Sequence, residues 1–348
     1  MPHEEAPSAL AQAIHTDRLL AHLQALEGER HPVTSPGRLA QAQEYVTAQW
    51  RSWGLRVVSD EFSYSGQSFV NLVARPSHAL DPSTHPAHVA EQSQVYGARS
   101  PRAEHGTRCE AGFRPTDNSA GLHRPRLIIG AHLDTVVGTP GADDNASGVA
   151  ALLELSRVAA TYPWQIPVEF VAFALEELGM IGSQAYAAGL RQAGVRLLGM
   201  LSLEMIGYTE TQGLQHYPWF LRGRFPTVGT YIGVVGNRRS RRLLDTVAGA
   251  MRTIEQLPVQ TITLPGNGGL VAESRLSDHA PFWDHGYPAL LMTDTAFLRN
   301  PHYHQPSDTV QTLDVPFLTN VTRGIAAALE SLNNPIPTSK SQTPNKHQ

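Results

Sequence analysis

Cysteine, long apolar runs and an excess of charge of either sign are all scarce in this chain of 348 residues. The single cysteine, Cys109, excludes an intrachain disulfide and any CxxC metal or redox motif. The absence of an apolar run of about 18 residues predicts no membrane-spanning helix. A net charge of −4 gives no field that would recruit nucleic acid or an anionic membrane. The first residues, MPHEEAPSAL, lack the basic-then-apolar order of a secretory signal, so we expect a cytoplasmic protein.

What is present is typical of a globular protein with a substantial core, since 41% of the residues are hydrophobic and 17% are charged. From Arg126 onward, apolar segments such as RLIIGA, PVEFVAFAL, LLGMLSLEM and PALLMTD alternate with helical patterns such as ASGVAALLELSRVAATY. Fully apolar strands separated by helices indicate an α/β fold with a mostly parallel central sheet. We therefore expect a three-layer sandwich with helices on both faces of that sheet.

The remaining segments suggest one domain with a polar insertion. A helix is expected over residues 37–53, followed by strands in LRVVSDEF and FVNLVARP. Residues 77–125 are rich in Pro, Ser, His and Gly and are interpreted as an insertion or mobile loop. Residues 1–335 are expected to form the domain, and residues 336–348 a disordered polar tail.

Acidic and imidazole side chains follow several of the apolar strands directly. His132, the pair Glu176 and Glu177, and Glu204 each stand at the end of a predicted strand. Ligands of open α/β sheets bind just beyond the carboxyl ends of the strands, so these side chains are expected to converge in one crevice.

The stretch LIIGAHLDTVVGTPGADDNASG adds further carboxylates to this edge of the sheet. Helix capping accounts for one acidic residue before a helix, but not for Asp143 and Asp144 side by side. Adjacent carboxylates repel each other unless a cation or a proton intervenes, which favours a bound metal dication. Glu176 and Glu177 could equally favour the dipole of the following helix. His302 and His304 in NPHYHQPSDT could complete a nitrogen-and-oxygen site for two Zn²⁺ ions, with Mn²⁺ or Co²⁺ as alternatives.

Six pieces in this order, GAHLDT, PGADDNASG, EELGMIGS, LEMIGY, SDHAPFW and YHQPSDT, resemble the zinc aminopeptidases of peptidase family M28. The resemblance implies one metal held by His132, Asp144 and Glu204, although many members carry aspartate at the Glu204 position. A second metal would be held by Asp144, Glu177 and His304, with Asp144 bridging.

The same resemblance assigns roles to the residues around the metals. It implies Glu176 as the general base, Asp134 as the partner of His132, and a cis peptide bond between Asp144 and Asn145. Tyr303 matches a tyrosine that some members use to stabilise an oxyanion, and simple packing is the alternative.

The implied function is hydrolysis of the N-terminal peptide bond of a peptide, by a water shared between two zinc ions and deprotonated by Glu176. A glutaminyl cyclase with one zinc is an alternative on the same fold. A carboxypeptidase or an N-acyl amino acid deacylase would need a cation for the substrate carboxylate, for which Arg299 and Arg275 are candidates. A binding module without activity is disfavoured because all the ligand positions are filled.

Overall fold

The computed structural model describes residues 8–77 and 124–333. The predicted insertion of residues 77–125, which contains Cys109, lies outside the described residues except at its two ends, and the predicted tail lies wholly outside them. The assignment of residues 1–335 to one domain therefore stays a prediction.

The described residues begin with three helices and continue with a mixed series of strands and helices. The strands are β1 (Leu55–Tyr64), β2 (Gln67–Pro76), β3 (Arg126–His132), β4 (Val168–Phe173), β5 (Leu197–Leu203), β6 (Ile232–Asn237), β7 (Val259–Leu264) and β8 (Ala289–Thr293). The helices are α1 (Ala9–Gln12), α2 (Thr16–Leu26), α3 (Pro36–Ser52), α4 (Gly148–Ala159), α5 (Ile181–Gln192), α6 (Arg241–Met251), α7 (His279–Asp284) and α8 (Val315–Asn333).

The strands of the described chain form one sheet in the order β1-β2-β4-β3-β5-β8-β6-β7. The four central strands, β4, β3, β5 and β8, run parallel to one another. Antiparallel pairing occurs between β1 and β2, between β2 and β4, and between β6 and β8. The predicted α/β sheet is therefore confirmed at its centre, and the antiparallel pairs lie on either side of that centre.

Two apolar cores cover the two faces of this sheet. Successive residues of a strand point to opposite faces, so Ile129 joins the larger core while Ile128 joins the smaller one. The larger core packs the sheet against α1 to α4, α6 and α8, and the smaller core packs it against α5 and α7. The predicted three-layer arrangement is confirmed.

Four elements of the described chain were not expected from the sequence: α1, α2, α7 and β7. Helices α1 and α7 have four and six residues, too few to show a helical period. Strand β7 lies at the edge of the sheet and is buried only at its two ends, so it lacks the apolar run of a central strand. Among the described residues, none of the helices is both long enough and apolar enough to cross a membrane.

Candidate metal centre

The central parallel strands deliver the candidate ligands to one edge of the sheet. His132 is the last residue of β3, Glu204 follows β5 directly, and Glu176 and Glu177 lie just after β4. His304 lies in the segment after β8. The expected convergence at the carboxyl ends of the strands is therefore present.

Three groups of three side chains lie close enough to hold a metal ion, and two of these groups share Asp144. The third group is His132, Glu176 and Glu177. The Nε2 atom of His132 lies 3.2 Å from Asp144 Oδ1 and 3.4 Å from Glu204 Oε1. The Nε2 atom of His304 lies 3.2 Å from Asp144 Oδ2 and 3.4 Å from Glu177 Oε2. The two oxygens of Asp144 thus face different groups, as a bridging carboxylate requires.

The donor atoms and their spacing fit a zinc ion in each of the two groups that share Asp144. Tetrahedral ligands about 2.0–2.1 Å from zinc lie about 3.3–3.4 Å from one another, close to the separations between these atoms. His304 Nε2 and Glu177 Oε1 are buried and make no hydrogen bond of acceptable geometry, although His304 Nε2 lies close to Asp144 Oδ2. This state is costly, and a bound metal ion would relieve it. Imidazole nitrogen and carboxylate oxygen, without thiolate, are typical zinc ligands.

The electrostatics of the centre also favour a bound dication. Burial raises the pKa of Glu176 well above its usual value, and the Glu204 carboxylate adds to the rise although His132 opposes it. Burial and the nearby Asp144 raise the pKa of Glu177 to about 7. Burial would also raise the pKa of Asp144, but its contacts with the two imidazoles hold it below the usual range. Without a cation, the remaining carboxylates can be relieved only by taking up protons.

Asp134 has a different main contact from the one that the family resemblance implied. His132 Nδ1 lies 3.1 Å from the main-chain oxygen of Asp134 and 3.8 Å from its carboxylate. The carboxylate instead accepts the N–H groups of Glu176 and Glu177, one on each oxygen, both at 3.1 Å. Asp134 therefore orients His132 through its carbonyl and fixes the two glutamates through its side chain.

Asp308 performs the same task for Asp143 and Asp144, although no sequence pattern singles it out. Its Oδ1 accepts the N–H of Asp143 at 2.9 Å, and its Oδ2 accepts the N–H of Asp144 at 3.1 Å. The only available signal was its place in the piece YHQPSDT. Two buried aspartates thus each hold two consecutive backbone N–H groups beside the metal centre.

Asp143 is a structural residue rather than a ligand. Its Oδ1 accepts the N–H of Gly207 at 3.0 Å, and its Oδ2 accepts the Asn300 side chain at 2.7 Å. The neighbouring Asn145 and Ser147 accept the N–H groups of the two residues before Gly207. The turn that carries Asp144 thereby holds the segment that follows Glu204. The peptide bond between Asp144 and Asn145 is cis, as expected.

An apolar cavity of about 360 Å³ opens beside the metal centre. Asp144, Glu176, Glu177, Glu204 and His304 line one end of it. The remaining wall is largely apolar and includes Tyr217, Leu221, Phe225, Tyr231, Ile262, Leu264, Val271, Leu276, Leu291 and Phe297. The site can therefore receive an apolar group next to its carboxylates and imidazoles.

Tyr303 lies where the polar and apolar parts of the cavity meet. Its ring stacks on that of His304 at a centroid distance of 3.7 Å, and the ring of Phe297 lies against it at a centroid distance of 5.6 Å. Burial and the surrounding carboxylates raise the pKa of Tyr303, so its hydroxyl keeps its proton and can donate. Both packing and hydrogen-bond donation are compatible with this position.

The two arginines considered for a substrate carboxylate are engaged elsewhere. Arg299 is buried and binds Gln215 and two main-chain oxygens. Arg275 pairs with Asp284 and the main-chain oxygen of Asn267. Neither arginine belongs to the described lining of the cavity.

Ser277, which was not assigned a role from the sequence, donates a hydrogen bond to Glu204 Oε2 at 2.9 Å. This bond helps to orient the Glu204 carboxylate.

Two other candidates from the sequence lie apart from the metal centre. His302 hydrogen-bonds with Ser307 and packs edge-on against Tyr208, and it belongs to none of the ligand groups. The basic stretch at residues 238–242 forms a short turn and the start of α6, with Arg241 paired to Asp245 at the surface.

Two curated relatives share part of this chain. The uncharacterized protein YfbL of Escherichia coli is 38% identical over 220 residues, which cover 59% of this chain and 66% of that protein. Leucine aminopeptidase 1 of Arthroderma otae is 29% identical over 204 residues, covering 54% of this chain and 49% of the relative. The chain thus spans about half to two thirds of the length of these relatives.

Two solved structures share the fold at low sequence identity. The LapA aminopeptidase of Legionella pneumophila superposes with a TM-score of 0.66 at 19% identity, covering 95% of this chain and 75% of that one. The glutaminyl cyclase of Porphyromonas gingivalis superposes with a TM-score of 0.58 at 18% identity, covering 92% and 99%. This architecture therefore occurs in proteins named for two different reactions.

The sequence profile of peptidase family M28 matches residues 115–329, which include all the candidate ligands and Glu176. The match extends over more than half of the 348 residues. This chain belongs to peptidase family M28.

Proposed function

We propose that this protein is an aminopeptidase that uses two zinc ions and removes apolar residues from the N-terminus of peptides. The observation that carries the proposal is the pair of ligand groups sharing Asp144 at the end of an apolar cavity. Membership of a peptidase family supports a peptide substrate, and the relative named leucine aminopeptidase supports cleavage after an apolar N-terminal residue.

The zinc ions would be held by His132, Asp144 and Glu204 in one group and by Asp144, Glu177 and His304 in the other. When bound, they supply Lewis acidity for the scissile carbonyl and for the attacking water. The charge of the cations would also favour the ionised forms of the carboxylates that burial now disfavours.

Glu176 is suited to the role of general base. It belongs to neither group that shares Asp144, and its backbone N–H is fixed by Asp134. Glu176 accepts a proton from the water that adds to the scissile carbonyl, and it returns that proton to the leaving amine as the carbon–nitrogen bond breaks. Tyr303 can donate a hydrogen bond to the oxygen that gains negative charge.

The competing reactions fit the described residues less well. A carboxypeptidase or an N-acyl amino acid deacylase needs a cation for the substrate carboxylate, and the described lining of the cavity includes no lysine or arginine. A glutaminyl cyclase with one zinc would not need the second group formed by Asp144, Glu177 and His304.

The test is hydrolysis of leucyl p-nitroanilide by the full chain loaded with zinc, with N-acetyl-leucyl p-nitroanilide as the matched control. We expect cleavage of the free-amine substrate alone, a zinc content near two per chain, and loss of activity with a chelator. Equal cleavage of the acetylated substrate would contradict an aminopeptidase. Cyclisation of a glutaminyl peptide with one zinc per chain would favour the cyclase instead.

A further inference from the structure

The apolar side of the cavity depends on a long segment between β5 and β6, residues 208–231, here called the cover segment. It supplies Tyr217, Pro218, Leu221, Phe225 and Tyr231 to the cavity wall. Its middle has only a short turn of helix at Trp219–Leu221. Its arms are joined at the bridged residues Glu210 and Gly229 and by a hydrogen bond from the Gln215 N–H to the main-chain oxygen of Thr227. A wall built from so little regular structure needs an anchor elsewhere in the fold.

Arg299 occupies the base of the cover segment. Its Nη1 donates to the main-chain oxygen of Tyr208 at 3.3 Å and to that of Tyr231 at 2.9 Å. One guanidinium nitrogen therefore joins the first and last residues of the segment. The guanidinium carbon also lies 4.5 Å from the centre of the Tyr231 ring, a distance at which a cation is attracted to the ring face.

A second set of contacts links Arg299 to the interior of the segment through Gln215. Arg299 Nε donates to Gln215 Oε1 at 2.8 Å. The amide of Gln215 in turn donates to Thr295 Oγ1 at 2.9 Å and to the main-chain oxygen of Leu298 at 3.1 Å. Leu298 and Thr295 line the cavity, so the contacts of Gln215 end at the cavity wall.

The packing around the guanidinium is tight. Gly229 approaches it so closely that an added Cβ would lie 2.6 Å from Arg299 Nε and 2.9 Å from Cδ. Arg299 is only 4% exposed, so water cannot replace the hydrogen bonds of its guanidinium. Any larger residue at position 229 must displace the arginine from the carbonyls that it holds.

We propose that Arg299 is a positioning residue that fixes the cover segment as the apolar wall of the substrate cavity, and thereby sets the selectivity for large apolar N-terminal side chains. Arg299 acts through the segment and does not touch the substrate. The selectivity part of this inference rests on the proposed aminopeptidase function, whereas the positioning part does not.

Two variants disturb this arrangement in different ways. Arg299→Met keeps an apolar stem beside Gly229 but removes every donor of the guanidinium. Gly229→Ala keeps every hydrogen-bonding group and pushes the guanidinium away by steric overlap. Arg157→Met is the control, because Arg157, like Arg299, binds a main-chain oxygen, that of Ala13, but it lies on α4 and its other partner is the Glu154 carboxylate.

The first measurement is hydrogen exchange on the full chain, which needs no activity. We expect residues 208–231 to exchange at least about tenfold faster in Arg299→Met and Gly229→Ala, while α8 and the strands keep their protection. Arg157→Met should leave exchange in the cover segment unchanged. Unchanged exchange at residues 208–231 in both variants, with the fold intact, would overturn the proposal.

The second measurement compares leucyl and alanyl p-nitroanilide. We expect the preference for leucine in kcat/KM to fall about tenfold in both variants, mainly through KM, with zinc content unchanged. An equal loss on the two substrates, or a loss of zinc, would contradict the selectivity role. If the unaltered protein cleaves neither substrate, the proposed function fails, and hydrogen exchange still decides whether Arg299 holds the segment.

Discussion

The metal side and the apolar side of the cavity are held in place by different kinds of contact. On the metal side, Asp134 and Asp308 each bind two consecutive backbone N–H groups beside the ligands. On the apolar side, the wall comes from the cover segment and from residues of β7 and the segment after it. There, Arg299 binds the carbonyls of residues that are distant in the chain.

The difference follows from what each side has to recognise. A metal ion needs several donor atoms within a few tenths of an ångström, so hydrogen bonds to the backbone of ligand residues, such as those at Asp144 and Glu177, help to fix their positions. An apolar side chain needs only volume and exclusion of water, because the hydrophobic effect is not directional. Changes on the metal side should therefore alter kcat and metal binding, and changes on the apolar side should alter KM.

The largest expected effect is that of Glu176→Gln. The amide cannot accept the proton of the attacking water, so kcat should fall about 10²–10⁴-fold. Zinc content should stay the same, because Glu176 belongs to neither of the two groups that share Asp144. Steady-state kinetics with metal analysis would measure both. Glu273→Gln, which changes a carboxylate on the apolar side of the cavity, is the control, and its kcat should stay within about twofold of that of the unaltered protein. Retained kcat in Glu176→Gln would remove Glu176 from the role of base.

Asp308→Ala should weaken zinc binding by about 10–100-fold, because the backbone at Asp143 and Asp144 loses both of its acceptors. Competition with a zinc-binding dye would measure the affinity. Asp314→Ala serves as the control, since Asp314 accepts hydrogen bonds from Thr209 and Phe317 and not from either aspartate. Equal zinc affinities in the two variants would argue that Asp308 does not position the bridging ligand.

Tyr303→Phe tests the residue at the border between the two sides. The ring can still stack on His304, but the hydroxyl is lost, so we expect kcat to fall about tenfold while KM and zinc content stay nearly constant. Phe297→Leu, which changes the neighbouring ring, is expected to alter KM instead. If kcat of Tyr303→Phe equals that of the unaltered protein, packing is the role of this tyrosine.

The smallest expected effect is a change of stability with pH in the chelated protein. Burial raises the pKa of Glu177 from 4.5 to about 7, and the contacts of His304 with Asp144 and Glu177 overcome its burial and raise its pKa from 6.5 to about 10. In both cases the folded chain holds a proton that the unfolded chain releases. The bound proton therefore contributes fully to the free energy of unfolding below the pKa of the unfolded chain. This contribution is lost as pH rises through the pKa of the folded chain.

The unfolding midpoint of the chelated protein should accordingly fall by a few degrees as pH rises from about 5 to 9. Added zinc should oppose the fall, since deprotonated ligands bind the metal more tightly at higher pH. His304→Gln is the matched variant, and its unfolding midpoint should change less with pH above about pH 6.5 than that of the unaltered protein. A midpoint of the chelated protein that rises over this range would contradict the assigned protonation states.

The sequence alone determined the central sheet and singled out the candidate ligands. Apolar strands of five to seven residues, each ending in or followed by an imidazole or a carboxylate, are local features that can be read without knowledge of the fold. Helix α8 (Val315–Asn333) is a local feature of the same kind, because its helical period is long and regular. The six short pieces shared with family M28 then fixed which carboxylate of each pair was expected to bind metal.

Only the tertiary structure decided how these residues are held. Asp308 and Asp144 are separated by 164 positions, and Arg299 and Tyr208 by 91, so no local pattern predicts their contacts. The role of Asp143, which no candidate metal group includes, was likewise visible only in the structure, where its carboxylate accepts hydrogen bonds from Gly207 and Asn300. A metal-binding motif records the chemistry of its side chains, but hydrogen bonds to backbone groups leave no signature in the residues that donate them, because every residue except proline carries the same N–H.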